Sequence, residues 1–134
     1  MSSLLDFMII GIGIDLVEVG RIEKAMARWD GAFERRVFTE QELVYCMDKK
    51  RPAEHLAARF AAKEAVMKAF GTGLSGGVTW KDAQVVRDEK GKPGFVLTGR
   101  LNELAMKMGV GEAMLSLSHD KSYAVAQVVL VGGI

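Results

Sequence analysis

One helical stretch constrains the fold because it leaves no face for water: 59-RFAAKEAVMKAFGTG-73. At the helical period, Phe60, Met67 and Phe70 fall on one stripe, and alanines fill most of the opposite side. A helix without a water-facing side has to be surrounded by the rest of the protein. The pattern therefore predicts a long, buried helix, preceded by Pro52 in its first turn.

Three charged residues interrupt this apolar pattern: Lys63, Glu64 and Lys68. They need partners, because an unpaired charge costs several kcal/mol or more to remove from water. A metal ion on the carboxylate and phosphate oxygens on the lysines would satisfy all three. Alternatively, Glu64 and Lys68 form a pair one helical turn apart while Lys63 extends its ammonium group to water. The helix alone leaves both explanations open.

Composition indicates one compact domain spanning residues 1–134, with 49% hydrophobic and 26% charged residues. A net charge of +1 argues against nucleic-acid binding through the overall field. Cys46 is the single cysteine, which excludes an intramolecular disulfide and is typical of the cytoplasm. The apolar run 7–14 is too short to cross a bilayer, so no membrane association is expected.

The order of periodicities predicts an α+β domain, with a mainly antiparallel sheet packed against the long buried helix. The apolar residues Ile10, Ile12, Ile14 and Leu16 alternate with Gly11, Gly13 and Asp15. This is a strand pattern with one nearly bare face that another backbone or a ligand can approach. A helix follows to about Trp29, with Trp29 facing inward. The further predicted elements are a helix at 40–47 with a capping box, strands at 78–87 and 94–98, a helix at 101–108 and a hairpin at 113–130.

Two isolated acids in apolar surroundings, Asp15 and Glu64, are the chemical signal of the chain. Two carboxylates completed by substrate phosphates and water are a common Mg²⁺ site. The cations around them indicate a polyphosphorylated ligand, although His119 alone is more typical of a structural histidine. The segment 11-GIGID-15 lacks the third glycine of a dinucleotide-binding turn, and no spaced His/Cys cluster favours zinc.

Several motifs together resemble the bacterial holo-acyl-carrier-protein synthases, the short members of the 4′-phosphopantetheinyl transferase family. The resemblance runs from about Ile9 to about Leu130 and follows the family's order and spacing. The motifs are 11-GIGIDLVEVGRIE-23, 38-FTEQEL-43, 59-RFAAKEAVMKAFGTG-73, 80-WKDAQVVRDEKGKP-93 and 115-LSLSHDKSYAVAQVV-129.

The resemblance implies transfer of the phosphopantetheine arm of coenzyme A to a serine of apo-acyl carrier protein, with Mg²⁺ as cofactor. By position, Asp15 and Glu64 match the metal ligands, and Lys68 matches a catalytic lysine beside the diphosphate. The other positions that match residues contacting coenzyme A are Arg59, Lys63, Gly71, Thr72, Gly73, Lys92, Pro93 and His119.

The resemblance also implies two protein interfaces. Arg21, Lys24 and Arg28, with Met26 as an apolar contact, match the face that meets the carrier protein; without the resemblance they would be interpreted as an ordinary solvated face. Family members of this length are homotrimers whose substrate cleft lies between subunits.

The identity of the general base stays open between Glu64 and a water relayed to Glu42. Two other functions also remain: a noncatalytic module that binds coenzyme A or the carrier protein, and a Mg²⁺-dependent hydrolase of nucleotide diphosphates. The first has no need of two acids, and the second has no need of the basic helix face.

Overall fold

A computed structural model describes residues 7–133 of the chain. Residues 1–6 and 134 lie outside the described residues, and so does that part of the predicted 1–134 domain. The elements in order are β1 Met8–Glu18, α1 Val19–Arg28, α2 Ala32–Val37, α3 Glu40–Met47, α4 Pro52–Phe70, a 3-10 turn Trp80–Asp82, β2 Ala83–Arg87, β3 Pro93–Leu97, α5 Gly99–Met108, β4 Val110–His119 and β5 Tyr123–Gly132.

The strands form two antiparallel sheets. The larger has the order β1-β5-β4, and β2 pairs with β3 in the smaller. The β4–β5 hairpin turns at Asp120, whose carboxylate accepts hydrogen bonds from the backbone N–H groups of Ser122 and Tyr123, both at 2.8 Å. The α+β prediction is confirmed.

The long helix α4 is buried along most of its length, as its alanine-rich pattern predicts. It packs against β1 and β5. The bare face of β1 is filled by this helix: a Cβ atom on Gly13 or Gly11 would collide with the carbonyl oxygens of Ala65 and Ala69, respectively. Glycine therefore lets the strand and the helix backbone approach each other directly.

Three local features differ from the predictions made from the sequence. Helix α2 was not expected, and it begins after Gly31, whose left-handed conformation (φ 84°) turns the chain between α1 and α2. Because α1 ends at Arg28, Trp29 lies beyond the helix and is 53% exposed instead of facing inward. The predicted strand 78–87 is also shorter, since Trp80–Asp82 form a 3-10 turn capped by Thr79.

The outer face of β1 carries exposed apolar side chains. Ile12, Ile14 and Leu16 are each at least 60% exposed, although the same strand packs its glycine face on α4. A patch of this kind on one side of a sheet indicates an interaction surface. Within residues 7–133, no helix combines the length and apolar character that crossing a membrane requires.

Gly13→Ala should destabilise the fold by about 2 kcal/mol or more, because the new methyl group pushes β1 away from α4. Gly20→Ala is the matched control, since nothing lies within 4 Å of a Cβ at that position. Urea denaturation measures both. Equal stability of the two variants would contradict the close packing of β1 on α4.

Candidate functional site

Asp15 of β1 and Glu64 of α4 lie side by side, at the point where Gly13 brings the strand against the helix. Burial raises the pKa of Glu64 to about 7, and the neighbouring Asp15 carboxylate acts in the same direction. Arg21 and Lys68 lower it in part. Asp15 Oδ2 is buried and has no hydrogen-bond partner. The two acids therefore form one electrostatically strained pair.

Lys68 is bound to the strand beside this pair. Its Nζ donates to Asp15 Oδ1 at 2.8 Å and to the backbone oxygen of Ile14 at 3.1 Å. The hydrogen bond to Asp15 raises the pKa of Lys68, so the ammonium stays charged at neutral pH. The alternative of a simple Glu64–Lys68 pair within the helix does not describe this lysine, because its ion pair crosses to β1.

The acid pair fits a hard divalent cation. Both residues offer carboxylate oxygens, the ligands that Mg²⁺ prefers, and the unpartnered Asp15 Oδ2 needs a positive charge or a donor. Residues 7–133 contain no group of three or more His, Cys, Asp and Glu side chains that could hold a metal ion. The remaining ligands would therefore come from water and the phosphates of a substrate.

Lys63, one of the predicted ligand contacts, lies in the core of the protein. Its side chain is fully buried, and its Nζ lies 2.9 Å from Glu42 Oε1, 3.1 Å from the oxygen of Trp80 and 2.7 Å from the oxygen of Ala83. An ammonium has three donors, and these three acceptors use them all. This full burial and the lack of a free donor argue against the predicted contact between Lys63 and nucleotide phosphates.

Glu42, the second candidate for the general base, is the buried partner of Lys63. Besides Lys63, its carboxylate accepts the backbone N–H groups of Thr39 and Val85, each at 2.8 Å. It is 2% exposed, and both of its oxygens already accept from these donors. The Lys63–Glu42 pair joins α3, α4 and β2. Glu42 also forms the capping box with Thr39 that the sequence predicts, and this capping box is confirmed.

Arg59 lies in a second charged region, on a different face of α4 from Glu64. Its guanidinium carbon is 4.3 Å from the ring centroid of Tyr45, and the ring is also approached by Lys49 at 4.4 Å and Arg87 at 5.6 Å. We call these three cations the Tyr45 cluster. Arg59 Nε is buried without a partner. Sequence reasoning missed Tyr45, Lys49 and Arg87, because their convergence depends on the packing of α3 and β2 on α4.

A cavity of about 230 Å³ adjoins the Tyr45 cluster. Arg59 and Arg87 supply its positive charge, and the carboxylate of Glu42 is neutralised by Lys63. An excess of guanidinium groups at a cavity with an unpartnered Nε suits an anionic ligand. The cavity is lined by Gln41, Glu42, Tyr45, Arg59, Gln84, Val85, Val86 and Arg87.

His119 ends β4 beside the N-terminal part of α4. Its Nδ1 is 3.3 Å from Glu54 Oε1, and its ring is 4.7 Å from that of His55. Burial and then the neighbouring His119 lower the pKa of His55. Glu54 and Glu64 are separated by about 15 Å along the helix, so within one chain His119 lies far from the acid pair.

The other predicted coenzyme A contacts lie in two loops. Gly71 ends α4 in a left-handed conformation (φ 79°), and the Thr72 hydroxyl donates to the Gly73 oxygen at 3.0 Å. This loop begins one turn after Lys68. Lys92 is exposed and Pro93 half-buried on the β2–β3 hairpin, which also carries Arg87 of the Tyr45 cluster.

The predicted basic face of α1 is exposed at Arg21, Lys24 and Arg28, whereas Met26 is half-buried against the core. Arg21 also lies close enough to Glu64 to lower its pKa, and its guanidinium is 5.8 Å from the Phe60 ring centroid. The basic face therefore reaches the acid pair at Arg21.

An apolar cavity that the sequence did not reveal lies at the other end of this face. It has a volume of about 340 Å³ and is lined by Trp29, Ala32, Phe33 and Arg36. Arg28 stacks over Trp29 at 4.9 Å, which joins the basic face to the cavity. The exposed Trp29 was the available signal, but it was assigned to the core.

Comparisons with known proteins identify the family. A family model described as the 4′-phosphopantetheinyl transferase superfamily matches residues 11–128. A holo-[acyl-carrier-protein] synthase from Geobacter sp. (strain M21) is 50% identical over 92% of this chain and 98% of the relative. One from Koribacter versatilis is 49% identical over the same shares.

Solved structures give the same result. The crystal structure of the holo-[acyl-carrier-protein] synthase from Neisseria meningitidis has a TM-score of 0.85 and 36% identity, covering 92% of this chain and 98% of that one. The Helicobacter pylori synthase in complex with coenzyme A has a TM-score of 0.78 and 33% identity, covering 89% and 98%. The fold and these similarities define a phosphopantetheinyl transferase domain. The chain belongs to the 4′-phosphopantetheinyl transferase superfamily.

Lys63→Met should lower the free energy of unfolding by about 3–5 kcal/mol, because it leaves the Glu42 carboxylate buried without its counter-charge. Lys63→Met combined with Glu42→Gln should recover part of this loss by removing the charge. Lys24→Met, at an exposed lysine, is the control and should change stability by less than about 0.5 kcal/mol. A Lys63→Met effect as small as the control would show that Lys63 is not buried in this pair.

Proposed function

We propose that this protein transfers the 4′-phosphopantetheine arm of coenzyme A to a serine of apo-acyl carrier protein and releases adenosine 3′,5′-bisphosphate. The observation that carries the proposal is the Asp15–Glu64 pair next to Lys68, in a chain similar over most of its length to holo-acyl-carrier-protein synthases. Two acids beside a mobile ammonium suit a reaction in which a metal-bound diphosphate is cleaved.

Asp15 and Glu64 would hold Mg²⁺, and Lys68 would contact the diphosphate. Bound Mg²⁺ supplies charge neutralisation on the diphosphate oxygens. Lys68 is 55% exposed at its side chain, so its ammonium can reach a phosphate without repacking the core. There it stabilises the negative charge that develops on the departing bisphosphate.

Glu64 is the proposed base, because the Glu42 carboxylate already accepts from Lys63, Thr39 and Val85. The serine hydroxyl proton goes to its carboxylate, the serine oxygen forms a bond to the phosphorus that carries the pantetheine arm, and the bond to the adenosine-side phosphate breaks. Arg21 lies close enough to Glu64 to lower its pKa, and an incoming serine would approach Glu64 from this α1 side.

The nucleotide end of coenzyme A would lie at the positively charged regions away from the acid pair. Arg59, with its unpartnered Nε, is the strongest candidate for a phosphate contact. His119, the loop Gly71–Gly73 and Lys92–Pro93 remain proposed contacts. His119 contacts Glu54, which lies about 15 Å along α4 from Glu64, and its proposed ligand contact is assigned to a cleft shared with a second subunit.

The carrier protein would dock on α1. Arg21, Lys24 and Arg28 offer exposed positive charge, and the cavity at Trp29 and Phe33 offers an apolar contact at the end of the same face. Charge pairing of this kind accelerates encounter and sets orientation. Because Arg21 also borders Glu64, docking along this face leads toward the acid pair.

A homotrimer in the cytoplasm completes the proposal. The exposed face of Ile12, Ile14 and Leu16 is a large apolar surface for a subunit contact. An open cavity of about 440 Å³ joins this face to Lys68, so a second subunit seated there would border the acid pair. The reduced state expected of the cytoplasm fits the single, buried Cys46.

Mass spectrometry of apo-acyl carrier protein incubated with coenzyme A and Mg²⁺ tests the reaction. Transfer adds the pantetheine arm, a hydrolase releases free phosphopantetheine, and a binding module leaves both reactants intact.

Asp15→Ala and Glu64→Ala should each lower the rate at least about a hundredfold, as should removal of divalent cations. Glu103→Ala, at an exposed carboxylate on α5, is the control and should retain the rate. Near-normal turnover in either acid variant at low Mg²⁺ would refute the metal assignment.

Lys24→Glu with Arg28→Glu should raise KM for the carrier protein about tenfold and leave KM for coenzyme A unchanged, because these charges guide docking and lie away from the donor. Arg21 is left intact because it also acts on Glu64. Lys81→Glu with Lys107→Glu makes the same change of charge at other exposed positions and controls for bulk electrostatics. A collapse of coenzyme A affinity in the α1 variant would place the nucleotide on this helix instead.

A further inference from the structure

The Lys68 ammonium occupies part of the proposed metal site. Its ammonium binds the Asp15 oxygen Oδ1 at 2.8 Å and is anchored a second time by the Ile14 carbonyl at 3.1 Å. A metal ion and an ammonium cannot share that oxygen at full strength, since both draw on the same lone pairs and repel each other. The inference drawn here rests on the proposed function, because it takes the acid pair as the metal site.

The two partners of this ion pair differ in accessibility. The Asp15 side chain is 12% exposed, whereas that of Lys68 is 55% exposed. Asp15 is thus fixed on its strand, and the lysine reaches it from the solvent side. Lys68 can swing away by changing side-chain rotamers, while the acid and the backbone oxygen of Ile14 stay in place.

The local charge also disfavours a metal ion in the absence of other ligands. Asp15 and Glu64 bring two acidic groups, and Lys68 and Arg21 bring two cations to the same site. A divalent cation arriving alone meets almost no net negative charge. It also finds two protein carboxylates where six oxygen ligands are needed.

We propose that Lys68 competes with the divalent cation for Asp15, and that the diphosphate of the donor relieves this competition by drawing the ammonium onto its own oxygens. Lys68 therefore has a second role besides contacting the diphosphate: it makes metal binding depend on the donor. The phosphates supply both the missing metal ligands and an alternative partner for the lysine. Cation and donor must then raise each other's affinity by the same factor.

Removing the Lys68 ammonium should therefore change metal affinity in opposite directions without and with bound donor. Without donor, removing the ammonium frees Asp15 and strengthens metal binding. With donor bound, the ammonium has already left Asp15, and removing it deletes a phosphate contact instead. If Lys68 acted on the metal only by long-range repulsion, its removal would strengthen metal binding by a similar factor in both states.

The test measures Mn²⁺ affinity by electron paramagnetic resonance on the full chain, with Lys68→Met and with Arg21→Met as a control. Arg21 carries the same charge beside Glu64 and is not bonded to Asp15. Without coenzyme A, Lys68→Met should bind Mn²⁺ roughly fivefold more tightly than the unchanged protein, the factor expected of an ion pair this exposed. Arg21→Met should show less than half of that gain. With saturating coenzyme A, the advantage of Lys68→Met should disappear or reverse.

The competition would be overturned if Lys68→Met bound Mn²⁺ no more tightly than the unchanged protein, or if Arg21→Met gained as much Mn²⁺ affinity as Lys68→Met. It would also be overturned if the gain of Lys68→Met were the same with and without coenzyme A. Adding Asp15→Asn to Lys68→Met should abolish the gain; a gain that survives puts the metal elsewhere and overturns the inference as well. Thermal unfolding checks that each variant is folded. Pantetheine transfer by the unchanged protein tests the proposed function separately, so the two can fail independently.

Discussion

The close approach of β1 to α4 is the constraint on which the rest of the structure depends. Gly13 leaves room for the carbonyl oxygen of Ala65, and the strand and helix therefore lie nearly backbone to backbone. This contact sets Asp15 against Glu64, although the two residues are far apart in the chain. The same packing holds the apolar side chains of β1 outward. One steric relation thus creates both the acid pair and the exposed face proposed to contact another subunit.

The charges of α4 are divided between stability and chemistry according to what each one faces. Lys63 points into the core, where Glu42 and two backbone oxygens use all of its donors, so it serves the fold. Glu64 lies at the edge, where partial burial and Asp15 shift its pKa. Lys68 lies in the open and keeps its freedom to exchange partners. Neighbouring residues of one helix therefore have different functions because their solvent access differs.

Most of the fold was predictable because its periodicities are strong: the alternation in β1, the capping box at Thr39 and the alanine-rich α4 all appear as expected. The failures have local causes. The prediction that Trp29 faces the core extends the helical period too far. Helix α1 ends at Arg28, before the left-handed turn at Gly31. The two acids were identifiable as unusual charges in apolar surroundings. The Tyr45 cluster was not, because three separate segments have to meet to form it.

The amino-acid sequence by itself determined the α+β class, the buried helix, the candidate acids and the family resemblance, because these depend on spacing along the chain. Only the tertiary structure decided which opposite charges pair. Lys68 binds Asp15 and Lys63 binds Glu42, although Glu64 stands within one turn of both lysines along the helix. The reason is physical: a charge selects the partner that packing brings within about 3 Å, and residues distant in sequence make that approach as readily as near ones.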